Sequence, residues 1–355
     1  MINFVGSDPK IIFAFWLGVG VTVMTLVMLA VIIIMRKLVL RRERIHAEAV
    51  ALWETVLVPT LQGVPVDTPR LEVRDVSGFI QVWNRVHEPL HGRTSQNLSR
   101  IAGETDLESH LFQFMSKGSF HDRLVAIIAL GHIKSNESFR RVSEYIDDKS
   151  PIMSLCAARA LMQIDAAQAV SRFVPQIVHR ADWSQGSIAT ILQEAGHQAQ
   201  VSQVLTEATL LANAEIAPRL IRFLAGVSPD AAAPIIRKTM ETSPDERLVS
   251  TCMQVMSNPG DLDCVRPLLT HPRWHVRMQA AVTLGRLGQP GDDQRLIDML
   301  ADGQWWVRYR AAQALLKLGF FSRADMQRIQ ETQTDGYARD IISHVLAERS
   351  IGAAA

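Results

Sequence analysis

One spacing constrains this chain more than any other feature. Apolar residues recur at Leu130, Leu161, Leu192, Phe223, Met253, Leu284, Leu315 and Leu346, in steps of 31, 31, 31, 30, 31, 31 and 31. Leu224 fits the fourth place slightly better than Phe223. A column held this long at one period marks stacked structural units rather than a single globule. The match is sharpest where Val276-Arg277-Met278-Gln279-Ala280-Ala281 aligns with Val307-Arg308-Tyr309-Arg310-Ala311-Ala312, with Trp274 over Trp305 and Gly288 over Gly319. Small residues stand just before the column at Ala126, Ala157, Ala158, Ala189, Ala280, Ala281, Ala311 and Ala312, where they let a neighbouring helix approach. A turn follows each, then a second amphipathic pattern, as in Asp292 to Leu300 with Leu296, Ile297 and Leu300 apolar. Period-2 alternation nowhere reaches strand length. A lone helix pair cannot shelter its apolar face, whereas stacked pairs share a continuous core. The expected fold is therefore all-α: one N-terminal transmembrane helix, then an α-solenoid of about seven to eight helix pairs over residues 116–350.

The membrane segment is read from Ile11 to Met35, 25 residues without a formal charge. At about 1.5 Å per residue this run exceeds a bilayer's hydrocarbon core of about 30 Å. A cleavable signal peptide would have a shorter apolar region and a small-x-small cleavage site, and neither is present here. Arg36, Lys37, Arg41, Arg42 and Arg44 crowd the C-terminal side against Lys10 on the other, which predicts residues 1–10 outside and everything after the span in the cytoplasm. The same five cations are candidates for contact with anionic headgroups. Ala14, Gly18 and Thr22 fall four apart and form a candidate contact stripe for another transmembrane helix. Residues 36–58 continue as a basic juxtamembrane helix. Pro59, Gly63, Pro65 and Pro69 mark a linker over 59–71. Residues 72–115 form a helical module without a repeat signature: Val76, Phe79, Ile80 and Trp83 on one face, Thr94 to Ala102 as a second element, and Asp106 as N-cap of a third. Residues 351–355 are a tail.

The segment from Asp302 through Trp305, Trp306, Val307, Arg308, Ala311 and Ala312 to Leu315 resembles a HEAT repeat of the short kind found in phycobilisome-lyase-type HEAT proteins. Asp148, Ala157, Ala158 and Leu161 match the same pattern in part. The resemblance implies hydrogen bonds between repeats from the turn Asp and the helix Arg. Arg stands in that column only at Arg123, Arg277 and Arg308, and residues 182–258 depart from the pattern with Gln185, Ile216 and Glu246. The order of parts also resembles membrane-anchored bacterial HEAT proteins associated with envelope glycan synthesis, through the basic anchor, Leu90-His91-Gly92-Arg93, Trp305 to Arg310, and Tyr337 to Asp340. That second resemblance implies a bacterial inner-membrane location and a membrane glycosyltransferase, or its regulator, as partner.

No catalytic, cofactor or metal site is expected. The chain lacks Gly-x-Ser-x-Gly, and Cys156 and Cys252 sit beside core positions, with Cys264 in a second-helix pattern. His87 and His91 are four apart, but Pro89 and Gly92 break the stretch and no third ligand follows. Net charge is +1; without residues 1–44 the body keeps 31 basic and 34 acidic residues, which argues against nucleic acid.

Aromatic residues give the clearest interaction lead. Phe120, Trp183, Trp274, His275, Trp305 and Trp306 stand just before or at the start of the first helix of their units. A hydrophobic staple onto the previous repeat accounts for one aromatic per unit, not for an adjacent pair. The other reading is a partner surface built from Trp274, His275, Trp305, Trp306, Tyr309 and Arg310, residue types that anchor interfaces. The expected function is a non-catalytic membrane scaffold that docks a membrane-associated protein. A chromophore-lyase-like HEAT protein and a lipid-surface or nucleic-acid-binding solenoid are the alternatives.

Overall fold

The computed structural model describes residues 9–62, 64, 66–87, 94–196 and 199–352. Among these there is no strand: the protein is all-α, with helix pairs stacked in a solenoid-like arrangement and one long apolar N-terminal helix. Contacts divide the chain into two compact units, Met1–Ala160 and Leu161–Ala355.

In the first unit, α1 (Pro9–Leu61) is followed by α2 (Val76–His87), α3 (Thr94–Glu104), α4 (Leu107–Lys117), α5 (Phe120–Gly131) and α6 (Asn136–Ser143); α7 (Pro151–Ile164) then carries the chain across the boundary. Helix α1 is unbroken for 53 residues, and Pro59 falls only in its last turn. Its side chains are exposed from Phe13 to Arg44; burial begins with Ala49, Trp53, Val56 and Leu57. Helix α2 docks on that C-terminal part by its expected face, since Val76, Phe79, Ile80 and Trp83 are at most 1% exposed. A Cβ at Gly78 would lie 2.6 Å from Ala49 Cβ, so only glycine permits this approach. An aromatic file runs outward from the core: Trp53 edge-on to Phe79, Phe79 stacked on Trp83, Trp83 tilted against His87 at 4.1 Å, and His87 stacked on His132 at 4.6 Å. Asp106 does occupy the N-cap place of α4, but in a left-handed conformation and without a side-chain cap; its carboxylate instead accepts from Ser109 at 2.8 Å.

The second unit continues with α8 (Ala166–His179), α9 (Gln185–Ala195), α10 (Ala199–Leu211), α11 (Ala217–Val227), α12 (Pro229–Thr242) and α13 (Glu246–Val255). After two 3₁₀ turns, Pro259–Cys264 and Arg266–Thr270, come α14 (Trp274–Leu287), α15 (Asp292–Asp298), α16 (Trp305–Leu315), α17 (Arg323–Thr332) and α18 (Gly336–Gly352). First helices stack on first helices, α9 on α11, α11 on α13, α13 on α14, α14 on α16 and α16 on α18. Second elements form their own row, α8 with α10, α10 with α12, and α12 with the first 3₁₀ turn. In that unit two 3₁₀ turns stand where sequence periodicity predicts a second helix; Pro267 removes an N–H donor that a continuous helix over this stretch would need.

The leucine column is buried throughout, from 0% exposure at Leu130, Leu161, Leu284 and Leu315 to 7% at Phe223. Leu224, at 0%, takes the deeper place in its unit. Close stacking depends on the small residues: a Cβ on Gly285 would lie 2.6 Å from both Cα and Cβ of Ala314.

Polar ties between repeats are regular only toward the C-terminus. Arg277 grips Asp302 with two bonds, Nε to Oδ2 at 2.7 Å and Nη2 to Oδ1 at 2.9 Å, and also donates to the His271 carbonyl at 2.8 Å. One repeat later, Arg308 donates to the Asp302 carbonyl at 2.7 Å. In the middle units the pattern changes, with Arg219 reaching the Arg180 and Trp183 carbonyls and Arg222 reaching Thr251 and Gln254.

Candidate protein-interaction surface

The surface follows from the register of α16. Val307, Ala311, Ala312 and Leu315 are fully buried and define its inward stripe. At about 100° per residue, Trp306, Tyr309 and Arg310 fall on the opposite side, and Trp305 flanks the stripe next to Ala312. Trp305 is 42% exposed and Trp306 51%, so neither serves as an inward staple. The rings pack on one another instead. Trp305 and Tyr309, four residues apart, stack with centroids at 5.0 Å and planes within 11°, and Trp306 stands edge-on to Trp305 at 4.8 Å. The Arg310 guanidinium lies 5.8 Å from the Tyr309 centroid and donates to Gln313 at 2.8 Å.

Helix α18 braces this cluster. Tyr309 Oη donates to the Glu348 carboxylate at 2.9 Å, and His344 Nε2 lies 3.1 Å from the same carboxylate. Desolvation, then the Glu348 carboxylate, raise the Tyr309 phenol above its usual range, so it remains a donor. Tyr337, 71% exposed, lies under the Arg308 guanidinium at 5.3 Å. Sequence reasoning missed Glu348 and His344. They lie on the helix beyond, at no fixed offset from Tyr309, and carried no signal.

Trp274 and His275 open α14 at the equivalent place one repeat earlier. Trp274 is 40% exposed and edge-on to His275, whose Nε2 lies 2.9 Å from Glu246. Trp183 behaves differently. It is 3% exposed and stacked on Phe173 at 5.7 Å, which is the staple arrangement.

The remaining sequence candidates take these places. Arg36, Lys37, Arg41, Arg42 and Arg44 are all exposed on α1. Ala14, Gly18 and Thr22 share an exposed line on the same helix, and Thr22 Oγ1 donates to the Gly18 carbonyl at 2.8 Å. Leu90 to Arg93, and with them His91, lie outside the described residues. His87 is half-buried, and its Nδ1 faces the Trp83 carbonyl at 2.9 Å. Among the described residues, no group of three His, Cys, Asp or Glu is placed to hold a metal ion. Burial pushes the Cys252 thiol up to about 12, which suppresses the thiolate. A further apolar groove of about 380 Å³ lies between α8 and α10, walled by Val174, Val178 and the exposed Leu211.

A family model described as HEAT repeats matches residues 251–316. Among solved structures, Kap121p aligns over 83% of this chain and 41% of its own, at 11% identity and a TM-score of 0.48. Kap121p bound to the extreme C-terminus of the protein phosphatase Cdc14p aligns at 13% identity, TM-score 0.48, over 82% of this chain and 41% of its own. Human deoxyhypusine hydroxylase in complex with glycerol aligns at 15% identity, TM-score 0.27, over 66% of this chain and 96% of its own. The chain thus spans well under half the length of the Kap121p structures it matches. No curated protein matches the sequence. Residues 251–316 thus match HEAT repeats, and the helix pairs stack in an α-solenoid-like structure, an architecture suited to protein interaction.

Proposed function

We propose that this protein is a non-catalytic scaffold, held in the bacterial inner membrane by residues 11–35 of α1, with its solenoid in the cytoplasm. It docks a membrane-associated partner through Trp305, Trp306, Tyr309 and Arg310, extended toward Trp274 and His275. The observation that carries this reading is the exposed Trp305–Tyr309–Trp306 cluster. Two large indole rings are kept about half in water beside a less exposed Tyr309 that is held by Glu348, whereas Trp183 is buried. Aromatic anchors fixed in advance lose little side-chain entropy when a partner covers them.

Support for the membrane placement comes from α1. The most apolar 18 residues have a mean hydropathy of 2.7 and none of that stretch is buried. Burial against a bilayer accounts for such a helix better than packing within the protein does. Anchoring both proteins in one membrane raises their effective concentration, so a modest interface suffices. The partner class we favour is an envelope-glycan glycosyltransferase or its regulator. Crosslinking in intact membranes followed by mass spectrometry tests the reading: a membrane glycosyltransferase crosslinked to α16 supports it. Crosslinks only to soluble proteins, or from other helices, would discard it.

A further inference from the structure

We infer that Arg36, Lys37, Arg41 and Arg44 form a binding face for anionic phospholipid headgroups, set on the side of α1 away from the packed cytoplasmic unit. This rests on the membrane reading of α1.

The face follows from helical register. Taking about 100° per residue, Arg36, Arg44, Lys37 and Arg41 fall within an arc of about 140°. Ala49, Trp53, Val56, Leu57 and Thr60, the buried residues that hold α1 in its unit, cluster on the opposite side. Of the five cations only Arg42 points with them. A topology signal needs the count of cations near the span and is indifferent to which face carries them. The grouping of four on the open side is therefore an added property.

Height and helix polarity agree. Met35 ends the uncharged run, and α1 continues unbroken, so Arg36 and Lys37 stand at the hydrocarbon boundary. Arg41 and Arg44 lie about 8 and 12 Å beyond Arg36 along the axis. The phosphate layer and the reach of its field span a comparable distance, since the Debye length is about 8 Å at physiological salt. Side chains in an α-helix lean toward its N-terminus. In a helix that leaves the membrane C-terminally, that direction is back toward the bilayer. The long stems of Arg41 and Arg44 thereby bring their guanidiniums down toward the phosphates, where Arg binds with two parallel hydrogen bonds. Glu43 is the one acid among residues 36–44, and it falls outside the four-cation arc.

The test uses the full-length protein in mixed micelles containing equal phosphatidylglycerol and phosphatidylcholine, with retained lipid counted by native mass spectrometry. The expected result is preferential retention of phosphatidylglycerol. Arg41→Gln with Arg44→Gln lowers it by about fivefold per cation removed, equivalent to about 1 kcal/mol each. Arg42→Gln has the smaller effect. Both changes keep Arg36 and Lys37 and alter only exposed side chains, so insertion and melting temperature are unaffected. Equal retention of the two lipids, or a loss from Arg42→Gln as large as that from the pair, overturns the inference. So does a pair variant that keeps its lipid but loses a crosslinked protein, which would assign the face to an acidic partner. Alkaline extraction of membranes separates the two levels: release of the wild-type protein would refute the span itself, whereas a retained protein without lipid preference would refute only the lipid face.

Discussion

Trp305 lies flat against Tyr309 on the water side of α16, with ring centroids 5.0 Å apart, and Tyr309 is tied to Glu348 of α18 at 2.9 Å. The stack is fixed from outside its own helix, so it is presented to solvent in one geometry. Aromatic pairs of this kind contribute about 0.5–1.5 kcal/mol beyond their buried area. Trp305→Ala with Trp306→Ala should therefore lower the melting temperature only slightly while reducing partner crosslinking at least tenfold, the range of an interface hot spot of about 2 kcal/mol per anchor. A large drop in melting temperature with crosslinks intact would restore the staple reading for these residues.

The Arg277–Asp302 pair should behave in the opposite way. Both side chains are mostly covered, at 16% and 11% exposure, and two hydrogen bonds join them. Asp302→Asn should cost about 2–3 kcal/mol in urea unfolding, the loss of a charge-assisted bond with an arginine left behind, and should leave crosslinking of the folded protein unchanged. Burial acts to raise the Asp302 carboxyl, but the bonds from Arg277 and the Gln304 amide outweigh it and hold the group below the usual carboxylate range. The contribution is thus complete above the ordinary Asp range and is lost as pH falls through the depressed value. The variant should show a correspondingly weaker acid dependence.

The periodic part of this architecture was legible because burial is periodic. Leu284 and Leu315 face inward for the same reason, so 31-residue spacing alone identified them. The Arg277–Asp302 tie was legible through the HEAT resemblance. The bracing of Tyr309 by Glu348 was not, since it joins a first helix to the last one across a distance that no repeat unit sets. The His87–His132 stack escaped for a similar reason: a histidine four residues from another suggests a ligand pair, whereas the actual neighbour is 45 residues on, brought there by α2 packing on α5. Exposure of Trp274 and burial of Trp183 differ although both stand at unit starts, because Phe173 on α8 offers Trp183 a ring to stack on.

Gly285 tests how closely the first helices stack. The two atoms at 2.6 Å from its missing Cβ are Cα and Cβ of Ala314, which cannot rotate aside. Gly285→Ala must push α14 and α16 apart, against the gain in helix propensity of about 1 kcal/mol that alanine brings at an unhindered helical site. Overpacking of this kind costs about 1–3 kcal/mol. Net destabilisation is expected in thermal unfolding, and a stabilised variant would show that the repeats yield more easily than this contact indicates.

Within the anchor, the Ala14–Gly18–Thr22 line can be tested separately from insertion. A Cβ at Gly18 would meet nothing within 4 Å, so Gly18→Leu leaves the helix itself undisturbed. If another transmembrane helix packs on this line, the bulk of leucine prevents close approach. Crosslinked partner recovered from membranes should then fall by about fivefold or more, the equivalent of about 1 kcal/mol at RT ≈ 0.6 kcal/mol. Equal recovery with normal membrane retention would exclude the line as a contact.

Acid should loosen the first unit before the imidazoles' usual titration range is fully crossed. His132 is stacked on His87 at 4.6 Å, and burial, then the charges of His87, Arg159 and Lys134, push it down to about 3. His87 is lowered too, by burial, against the opposing hydrogen bond to the Trp83 carbonyl. Both rings are therefore neutral in the folded state at neutral pH, whereas in the unfolded chain each takes up a proton near its ordinary value of about 6.5. Their contribution is complete above that value and shrinks as pH falls toward the folded values, because the unfolded state then binds more protons. For His132 the slope approaches about 1.4 kcal/mol per pH unit at its steepest. Unfolding of the first unit, followed by tryptophan fluorescence to which the buried Trp53 and Trp83 contribute, should give midpoints that fall steadily from pH 7 to pH 5. His132→Leu, which fills the same space with a side chain that cannot ionise, should flatten that decline. An unchanged slope in the variant would place the acid sensitivity elsewhere in the chain.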